Sequence, residues 1–211
     1  MNCRGCGTPL ALPLIDLGTS PPSNAYVHAD RLEQAEQWVP LKVAVCQQCW
    51  LVQTEDYRAA DSLFDADYAY FSAFSSSWLK HSEQYVNQMV DRFSLGSGSM
   101  VVEVAANDGY LLQYVKAAGI PCVGVEPTAS TAAAARSKGI EIIEEFFGEP
   151  VATKMVARGQ AADLTAANNV LAHVPDINDF VKAGAAVFGV SRDNMKSHDD
   201  FKTKLELPFE L

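Results

Sequence analysis

Positive charge is scarce in this sequence and is not concentrated anywhere along it. The 211 residues include 16 Lys and Arg against 26 Asp and Glu, which gives a net charge of −10. Proteins that bind nucleic acid gather Lys and Arg on one face to neutralise phosphates. The composition therefore excludes a nucleic-acid partner, and any anionic ligand has to be bound by a few local groups.

Long apolar runs are also missing. No stretch approaches the roughly 18 apolar residues of a membrane-spanning helix, and the N-terminus lacks the basic start and apolar core of a signal peptide. We therefore expect a cytoplasmic protein with no membrane partner. The hydrophobic share of 48% is that of ordinary globular proteins, so the chain can bury a core in one or two domains.

Cysteine is infrequent, and its spacing carries its meaning. There are five cysteines, and a reducing cytoplasm disfavours disulfides. Four form two C-x-x-C pairs, Cys3 with Cys6 and Cys46 with Cys49, which is the ligand set of a tetrahedral zinc site. Because all four ligands are thiolates, no coordination position stays open, and the zinc is predicted to be structural. The alternatives are reduced thiols without metal or a redox pair, and Cys122 is interpreted as a small buried apolar residue.

The zinc ligands lie in a predicted β-rich domain over residues 1–56. Turn signals at Pro-Pro and Ser-Asn precede the alternating segment "VPLKVAV", which is typical of a strand. Residues 57–98 follow as an aromatic connecting segment and a helix, which is predicted from the apolar spacing in "WLKHSEQYVNQMVDRF". The segment "SLGSGS" ends this helix and marks the domain boundary.

The pattern over residues 99–183 alternates between strand and helix. Apolar runs such as "MVVEVA" and "CVGVE" predict parallel strands covered on both faces, as in a Rossmann-like α/β sheet. The predicted strands cover residues 100–105, 121–125, 140–143 and 162–167, and the predicted helices residues 109–118, 128–138, 149–158 and 175–183. The fold class is therefore α/β, with a Rossmann-like domain that is incomplete at its C-terminal end and follows a small zinc-stapled β-rich domain.

Glycine is scarce where a dinucleotide-binding loop would need it. Ligands of open α/β sheets bind at the carboxyl ends of the strands, which places Glu103, the turn "ANDG" and Glu126 at one rim. The segment from Ala167 to His173 belongs to the same rim. The "ANDG" turn has one glycine, so it does not offer the close backbone approach that G-x-G-x-x-G gives a pyrophosphate.

The rim residues favour a ligand with one nucleoside, no phosphate and a positive charge. Glu126 ends the second strand, where a carboxylate can accept bonds from both hydroxyls of a ribose. S-adenosylmethionine fits this description better than NAD does. The alternative is that Asp108 and Glu126 cap helices, a common role for acids that follow a strand.

Six ordered motifs carry a resemblance to a known family. The first motif is the set of two cysteine pairs. The other five are "LIDLGTSPPSNAYV", "DYAYFSAFSSSWLKHSEQYV", "VVEVAANDGYLLQYV", "GVEP" and "ANNVLAHVPDINDFV". From about residue 3 to residue 181, the chain resembles the zinc-binding, S-adenosylmethionine-dependent sugar C-methyltransferases. The resemblance implies S-adenosylmethionine as the cofactor and a nucleotide-linked keto-deoxysugar as the substrate.

The same resemblance implies roles for particular residues. The "YAYFS" segment would cover the cofactor, the "ANDG" turn and the acid after the second strand would contact it, and "NNVLAHV" would line the reaction centre. The implied cofactor-binding residues are Tyr70, Ser72, Glu103, Asn107, Asp108, Gly109, Glu126, Pro127, Asn168 and Asn169. The implied catalytic residues are His173, Asn169 and Tyr70.

The chemistry of such a reaction gives these residues tasks. A carbon beside a ketone loses a proton to a general base, hydrogen-bond donors hold the enolate, and the carbon attacks the methyl group of the sulfonium. His173 is a candidate base or enolate donor, Asn169 would orient cofactor or substrate, and Tyr70 would offer a phenol to either. Asn169 and His173 share a face if this stretch is helical. The alternative for His173 is a structural histidine.

After residue 181 the sequence departs from the family pattern. On the run "VFGVSRDNMKSHDDF" followed by "LPFEL", residues 184–211 resemble an internal piece of a bacterioferritin-comigratory-type peroxiredoxin, without its peroxidatic cysteine motif. We interpret the change as a fusion, frameshift or assembly join near Lys182, against the alternative of an unusual natural C-terminus. We therefore expect a truncated chain without the nucleotide-sugar domain, which binds cofactor at best weakly and does not turn over substrate.

Three functions compete on this sequence. The first is a C-methyltransferase or its cofactor-binding half, and the second is a non-catalytic module that binds zinc and S-adenosylmethionine. The third is a thiol peroxidase, which needs an activated thiolate, whereas four of the five thiols are committed to metal. The sugar, the methylated carbon, the stereochemistry and the oligomeric state are not specified by the sequence.

Overall fold

Two β-sheets organise the part of the chain that the structure describes. The structure is a computed structural model, and it describes residues 1–55, 57, 63–64 and 68–170, which all fall within the unit Met1–Val174. His173, the predicted helix over residues 175–183 and the tail lie outside the described residues. The first sheet belongs to the predicted zinc domain, and the second to the predicted Rossmann-like domain.

The first sheet is antiparallel and has the strand order β1–β2–β3. The strands are β1 Leu12–Ser20, β2 Val39–Val45 and β3 Val52–Thr54, and a 3₁₀ turn covers Ala29–Arg31. Strand β2 is the alternating segment that the sequence predicts. Strand β1 was not predicted, because Pro13 and Gly18 interrupt its apolar pattern and two irregularities shift its register against β2.

The first sheet buries little apolar surface of its own. Leu14 is 59% exposed and Leu17 is 60% exposed, although both lie in β1. Among residues 1–55, which the structure describes without a gap, the buried apolar side chains are those of Cys3 and Cys46. The cysteines lie where an apolar core would otherwise be. Small domains with so little core depend on a cross-link for their stability.

Helix α1, Ser76–Phe93, connects the two sheets in the chain. It begins slightly before the predicted start because Ser75 is its N-cap, whose hydroxyl accepts a hydrogen bond from the Trp78 backbone N–H at 3.2 Å. A 3₁₀ turn at Ser72–Phe74 precedes it. The helix ends at Ser94, which takes a φ of 52°.

The second sheet is parallel, with the strand order β6–β5–β4–β7. Its strands are β4 Val101–Val104, β5 Cys122–Val125, β6 Glu141–Ile143 and β7 Leu164–Ala166, and its helices are α2 Leu112–Ala117, α3 Ala129–Ser137 and α4 Glu149–Ala157. The predicted Rossmann-like α/β fold is confirmed. Helix α2 begins later than predicted, because Asn107 and Gly109 take positive φ values that no helix accommodates.

The strand order reverses at β4. From β4 the chain passes through β5 to β6, and then returns to form β7 on the other side of β4. Helices α1, α2 and α3 contribute buried residues to the cluster on one face of the sheet, and α4 contributes Val151 and Met155 to the cluster on the other. In such sheets ligands bind beside the reversal, at the carboxyl ends of the strands. Within the described residues, no helix combines the length and the apolar character needed to cross a membrane.

Candidate functional site

The turn after β4 alternates between ordinary and left-handed backbone. Ala105, Asn107 and Gly109 take φ values of 56°, 50° and 75°. Glycine adopts this conformation without cost and asparagine tolerates it, whereas alanine is strained there. An alanine Cβ at Gly109 would also lie 2.5 Å from Ile140 Cδ1, so a side chain there would have to displace Ile140 in addition to adopting a positive φ. The positive φ of Ala105 could not be predicted from the sequence, because alanine gives no signal for this conformation.

Glu126 joins this turn to the start of α3. One of its carboxylate oxygens accepts the Asn107 backbone N–H at 2.9 Å, and the other accepts the N–H of Thr128, the N-cap of α3, at 3.0 Å. The side chain is only 4% exposed. A carboxylate offers about four acceptor sites, so two remain after these bonds. The predicted bonds from Glu126 to a ribose therefore stay a prediction that the acceptor count permits.

A stretch of irregular backbone lies against the turn, and we call residues 68–74 the covering segment. The carboxamide of Asn107 accepts the Ser72 N–H at 2.9 Å and donates to the Tyr70 carbonyl at 3.0 Å. The Ser130 hydroxyl donates to the Tyr68 carbonyl at 3.2 Å. The structure thus places the "YAYFS" motif beside the "ANDG" turn, two motifs that are far apart in the sequence.

Asp108 also faces the covering segment. Its Oδ2 accepts the Ala73 N–H at 3.1 Å, and the ammonium of Lys138 lies 4.0 Å from the same oxygen. Lys138 also donates to the Asp108 backbone carbonyl at 2.6 Å. Helix α2 starts at an N-cap of Leu111 with no side-chain cap, so the alternative that Asp108 caps this helix is wrong. Oδ1 of Asp108 is buried and has no hydrogen-bond partner among the described residues.

Glu103 is a fully buried carboxyl group on the central strand β4. It pairs with Gly124 on one strand and with Ala166 on the other. Neither of its oxygens has a hydrogen bond of normal geometry within the described part of the chain. Burial raises the pKa of the Glu103 carboxyl well above its usual range, and Tyr110 and Asn168 nearby counteract this only in part.

Tyr110 connects the central strand to the end of β7. Its hydroxyl accepts a hydrogen bond from the Asn168 amide at 3.1 Å, and its ring lies 5.9 Å from that of Trp78 on α1. Burial, followed by the nearby Glu103 charge, raises the pKa of the Tyr110 hydroxyl. Tyr110 is not among the predicted site residues, although it directly follows the "ANDG" turn in the sequence.

The predicted site residues do not all meet. The turn, Glu126 and the covering segment are joined by hydrogen bonds, and Tyr110 and Asn168 both lie close to Glu103. Pro127, between Glu126 and the start of α3, is half-buried. Asn169 follows β7 with an exposed side chain and a φ of 52°, and it has no hydrogen bond to the turn among the described contacts.

The four cysteines of the two C-x-x-C pairs converge as predicted. All four sulfurs lie within 4.8 Å of one another, with Cys3 Sγ 3.6 Å from Cys49 Sγ and Cys6 Sγ 3.5 Å from Cys46 Sγ. A tetrahedral zinc ion with Zn–S bonds of about 2.3 Å holds its sulfurs about 3.8 Å apart. The cluster therefore fits a structural zinc ion with four thiolate ligands.

Outer contacts orient two of these sulfurs. The Gln53 side-chain amide donates to Cys3 Sγ at 3.2 Å, and its oxygen accepts the Arg4 N–H at 3.0 Å. The Gln48 N–H donates to Cys46 Sγ at 3.4 Å. Burial raises the pKa of the Cys3 thiol, but hydrogen bonds from the Cys6 backbone and Gln53 outweigh it and lower the pKa to about 6. No sequence motif points to Gln53, which reaches the cluster from strand β3.

Two comparisons with known proteins bear on this geometry. Residues 3–64 match a family of zinc-binding domains that is named for methyltransferases. The chain is 30% identical to the C-methyltransferase NovU of Streptomyces niveus over 186 residues, which are 88% of this chain and 44% of NovU. The chain thus spans less than half the length of this relative. Taken together, the two matches confirm the resemblance to zinc-binding C-methyltransferases.

Solved structures give only distant likenesses. The YcgJ protein from Bacillus subtilis is 14% identical with a TM-score of 0.24, over 44% of this chain and 31% of YcgJ. YjhP from E. coli is 11% identical with the same TM-score, over the same shares of the two chains. Likenesses of this extent carry no argument about fold or function.

Removal of zinc is expected to unfold the first sheet and to leave the second in place. The thiolates are the main buried groups of residues 1–55, and structural zinc in small domains contributes about 10–16 kcal/mol at neutral pH. Metal analysis should find close to one zinc per chain, and Cys46→Ser should abolish it. Cys122→Ser is the matched control and should keep the metal. Less than half an equivalent of zinc, or no change in hydrogen exchange of β1–β3 after chelation, would contradict the assignment.

Ala105→Gly is expected to stabilise the chain by about 1 kcal/mol, because it relieves a residue that is strained at positive φ. Urea unfolding at constant zinc concentration measures the change. The control is Ala118→Gly at the end of α2, where φ is −76° and glycine should cost about 0.5 kcal/mol through unfolded-state entropy. Destabilisation by Ala105→Gly would show that the turn is not strained at this residue.

Glu103→Gln is expected to flatten the dependence of stability on pH. The Glu103 carboxyl has a raised pKa in the native protein, so it keeps its proton at pH values where the same group in the unfolded chain has lost it. The free energy of unfolding therefore falls as the pH rises from the pKa of this group in the unfolded chain to its pKa in the native protein. The free energy of unfolding of the wild type should therefore fall relative to Glu103→Gln as the pH rises above the pKa of the unfolded carboxyl, by at most about 1.4 kcal/mol per pH unit. Urea unfolding of both proteins at each pH measures this difference, which also cancels the pH dependence of zinc binding. A difference that stays constant with pH would contradict the raised pKa.

Proposed function

We propose that this chain binds S-adenosylmethionine at the carboxyl ends of β4 and β5 and forms part of a C-methyltransferase that acts on a nucleotide-linked keto-deoxysugar. The C-methyltransferase activity is taken from the similarity to NovU, of which the chain spans 44%, and the substrate class from the family resemblance of the sequence motifs. The site itself is argued from this chain's residues.

The observation that carries the proposal is a set of buried acceptors without partners at the strand reversal. Both oxygens of Glu103 and Oδ1 of Asp108 are buried without a hydrogen bond of normal geometry among the described residues, and the polar groups close to Glu103 are those of Tyr110 and Asn168. An unsatisfied buried acceptor costs about 1–3 kcal/mol, and more when charged. A ligand with hydrogen-bond donors or a positive charge would remove that cost, and a sulfonium cofactor with an ammonium group has both.

The same groups argue against a dinucleotide. A pyrophosphate needs a glycine-rich turn with free backbone N–H groups. In this turn the Asn107 N–H is already bonded to Glu126, and the Gly109 N–H donates to the Ala106 carbonyl at 2.9 Å. Three acidic side chains surround the turn, and the Lys138 ammonium is engaged with Asp108. The pyrophosphate of a dinucleotide would therefore face hydrogen-bond acceptors rather than hydrogen-bond donors.

The residues present would divide the work of binding and reaction. The predicted roles are ribose binding by Glu126, and contact with the methionine end by Glu103 and Asp108. Bound S-adenosylmethionine supplies an electrophilic methyl group. Proton removal from the substrate carbon is the task predicted for His173, and Tyr70, whose side chain is 52% exposed, is available to donate a hydrogen bond at the rim.

A non-catalytic module that binds zinc and S-adenosylmethionine is the second candidate. The observation that favours it is that Asn169, a predicted catalytic residue, has an exposed side chain and no hydrogen bond to the turn among the described contacts. Both candidates share the cofactor site, so measuring cofactor binding and methyl transfer separately distinguishes them. Zinc has a structural role in either case, because four thiolates leave no open position on the ion.

The cofactor prediction is tested by titration calorimetry with S-adenosylmethionine and with NAD. We expect S-adenosylmethionine to bind and NAD not to bind. Glu126→Ala should weaken binding at least tenfold, since it removes a buried carboxylate and the bonds that shape the turn.

The control variant is Glu144→Ala, which removes an exposed carboxylate that pairs with Arg136 near the end of β6. It should leave cofactor affinity unchanged. Binding of NAD in preference to S-adenosylmethionine, or equal affinities for the wild type and Glu126→Ala, would contradict the proposed site.

A further inference from the structure

The side chains of the "ANDG" turn are directed at the covering segment. Two side chains of the turn form hydrogen bonds with three backbone groups of that segment. The Asn107 carboxamide bonds to the Ser72 N–H and the Tyr70 carbonyl. The Asp108 carboxylate accepts the Ala73 N–H. The bond from Ser72 is buried, and it joins residues 35 positions apart in the chain. A conventional cofactor loop would point such groups at its ligand.

The covering segment needs these bonds because its backbone has few other partners. Residues 68–71 form no helix or strand, and Ser72 is only 7% exposed. A buried N–H has to be paired with an acceptor, and the carboxamide oxygen of Asn107 is the acceptor for Ser72. The loss of that oxygen would leave the N–H unpaired unless the segment moves into water.

Asn107 fulfils two conditions at once. Its φ of 50° suits asparagine and glycine, and its side chain offers both an acceptor and a donor. Glycine would satisfy the backbone but could not hold the segment, and aspartate would supply the acceptor but not the donor. This explains why asparagine stands where glycine would be the simplest residue.

We infer that Asn107, assisted by Asp108, is a positioning residue that fixes the covering segment over the rim. Its two bonds hold the two peptide groups that flank Phe71 and so fix the backbone between Tyr70 and Ser72 against the turn. The carboxamide of Asn107 therefore acts on the segment and not directly on the cofactor. The consequence for cofactor binding rests on the proposed function, whereas the hold on the segment does not.

The test compares hydrogen exchange of residues 68–75 in the full chain, without cofactor, for the wild type, Asn107→Gly and Asn107→Asp. Asn107→Gly should accelerate exchange about tenfold or more, because a buried N–H loses its acceptor. Asn107→Asp keeps an acceptor for Ser72 and should restore part of the protection. Peptides from β5 and β6 should be unaffected.

The matched control is Ser94→Gly, which also replaces a polar residue of positive φ by glycine, at the exposed end of α1. It should leave exchange of residues 68–75 unchanged. Unchanged exchange in Asn107→Gly would overturn the inference, as would equal acceleration in every peptide of the second sheet, because that pattern indicates general destabilisation.

A second arm adds S-adenosylmethionine. The wild-type segment should exchange more slowly with the cofactor present, and Asn107→Gly should bind it about tenfold more weakly, the effect of one lost buried hydrogen bond. If the wild type does not bind S-adenosylmethionine, the proposed function fails, while the exchange of the unliganded variants still decides whether Asn107 holds the segment. Equal cofactor affinity in the wild type and Asn107→Gly would overturn the link between the segment and binding.

Discussion

The positive φ values of Ala105, Asn107 and Gly109 set the path of the chain beyond β4, and the site depends on that path. The turn directs the Asn107 N–H toward Glu126 and its carboxamide toward the covering segment. It also delays the start of α2 until Leu112. In a helix that started directly after β4, the Asn107 N–H would belong to the first helical turn. The hydrogen bonds that join this part of the chain to the covering segment and, through Glu126, to the start of α3 would then be lost.

The two sheets are stabilised by different means. The parallel sheet has fully buried strands with apolar clusters on both faces, so burial of apolar surface stabilises it. The antiparallel sheet leaves most of β1 exposed and has its buried side chains at the cysteine cluster. Loss of metal should therefore destabilise the first sheet far more than the second, whose stability depends on apolar burial instead.

The sequence predicted most of this architecture because its signals are local. The C-x-x-C spacing identified the four ligands, and the buried strand runs identified the parallel sheet. Strand β1 was missed because Pro13 and Gly18 disrupt its pattern. The strain at Ala105 and the bonds from Asn107 to residues 70 and 72 could not be predicted, because alanine gives no turn signal and the bonds join distant parts of the chain.

The central claim is that a sulfonium cofactor binds where the turn, Glu126 and the covering segment meet. Backbone amide NMR of this 22.9 kDa chain, recorded during titration with S-adenosylmethionine, tests the location directly. We predict that the largest shift changes occur at Ser72, Asn107, Gly109 and Thr128. Changes confined to residues 3–54, or spread evenly over the chain, would contradict this location.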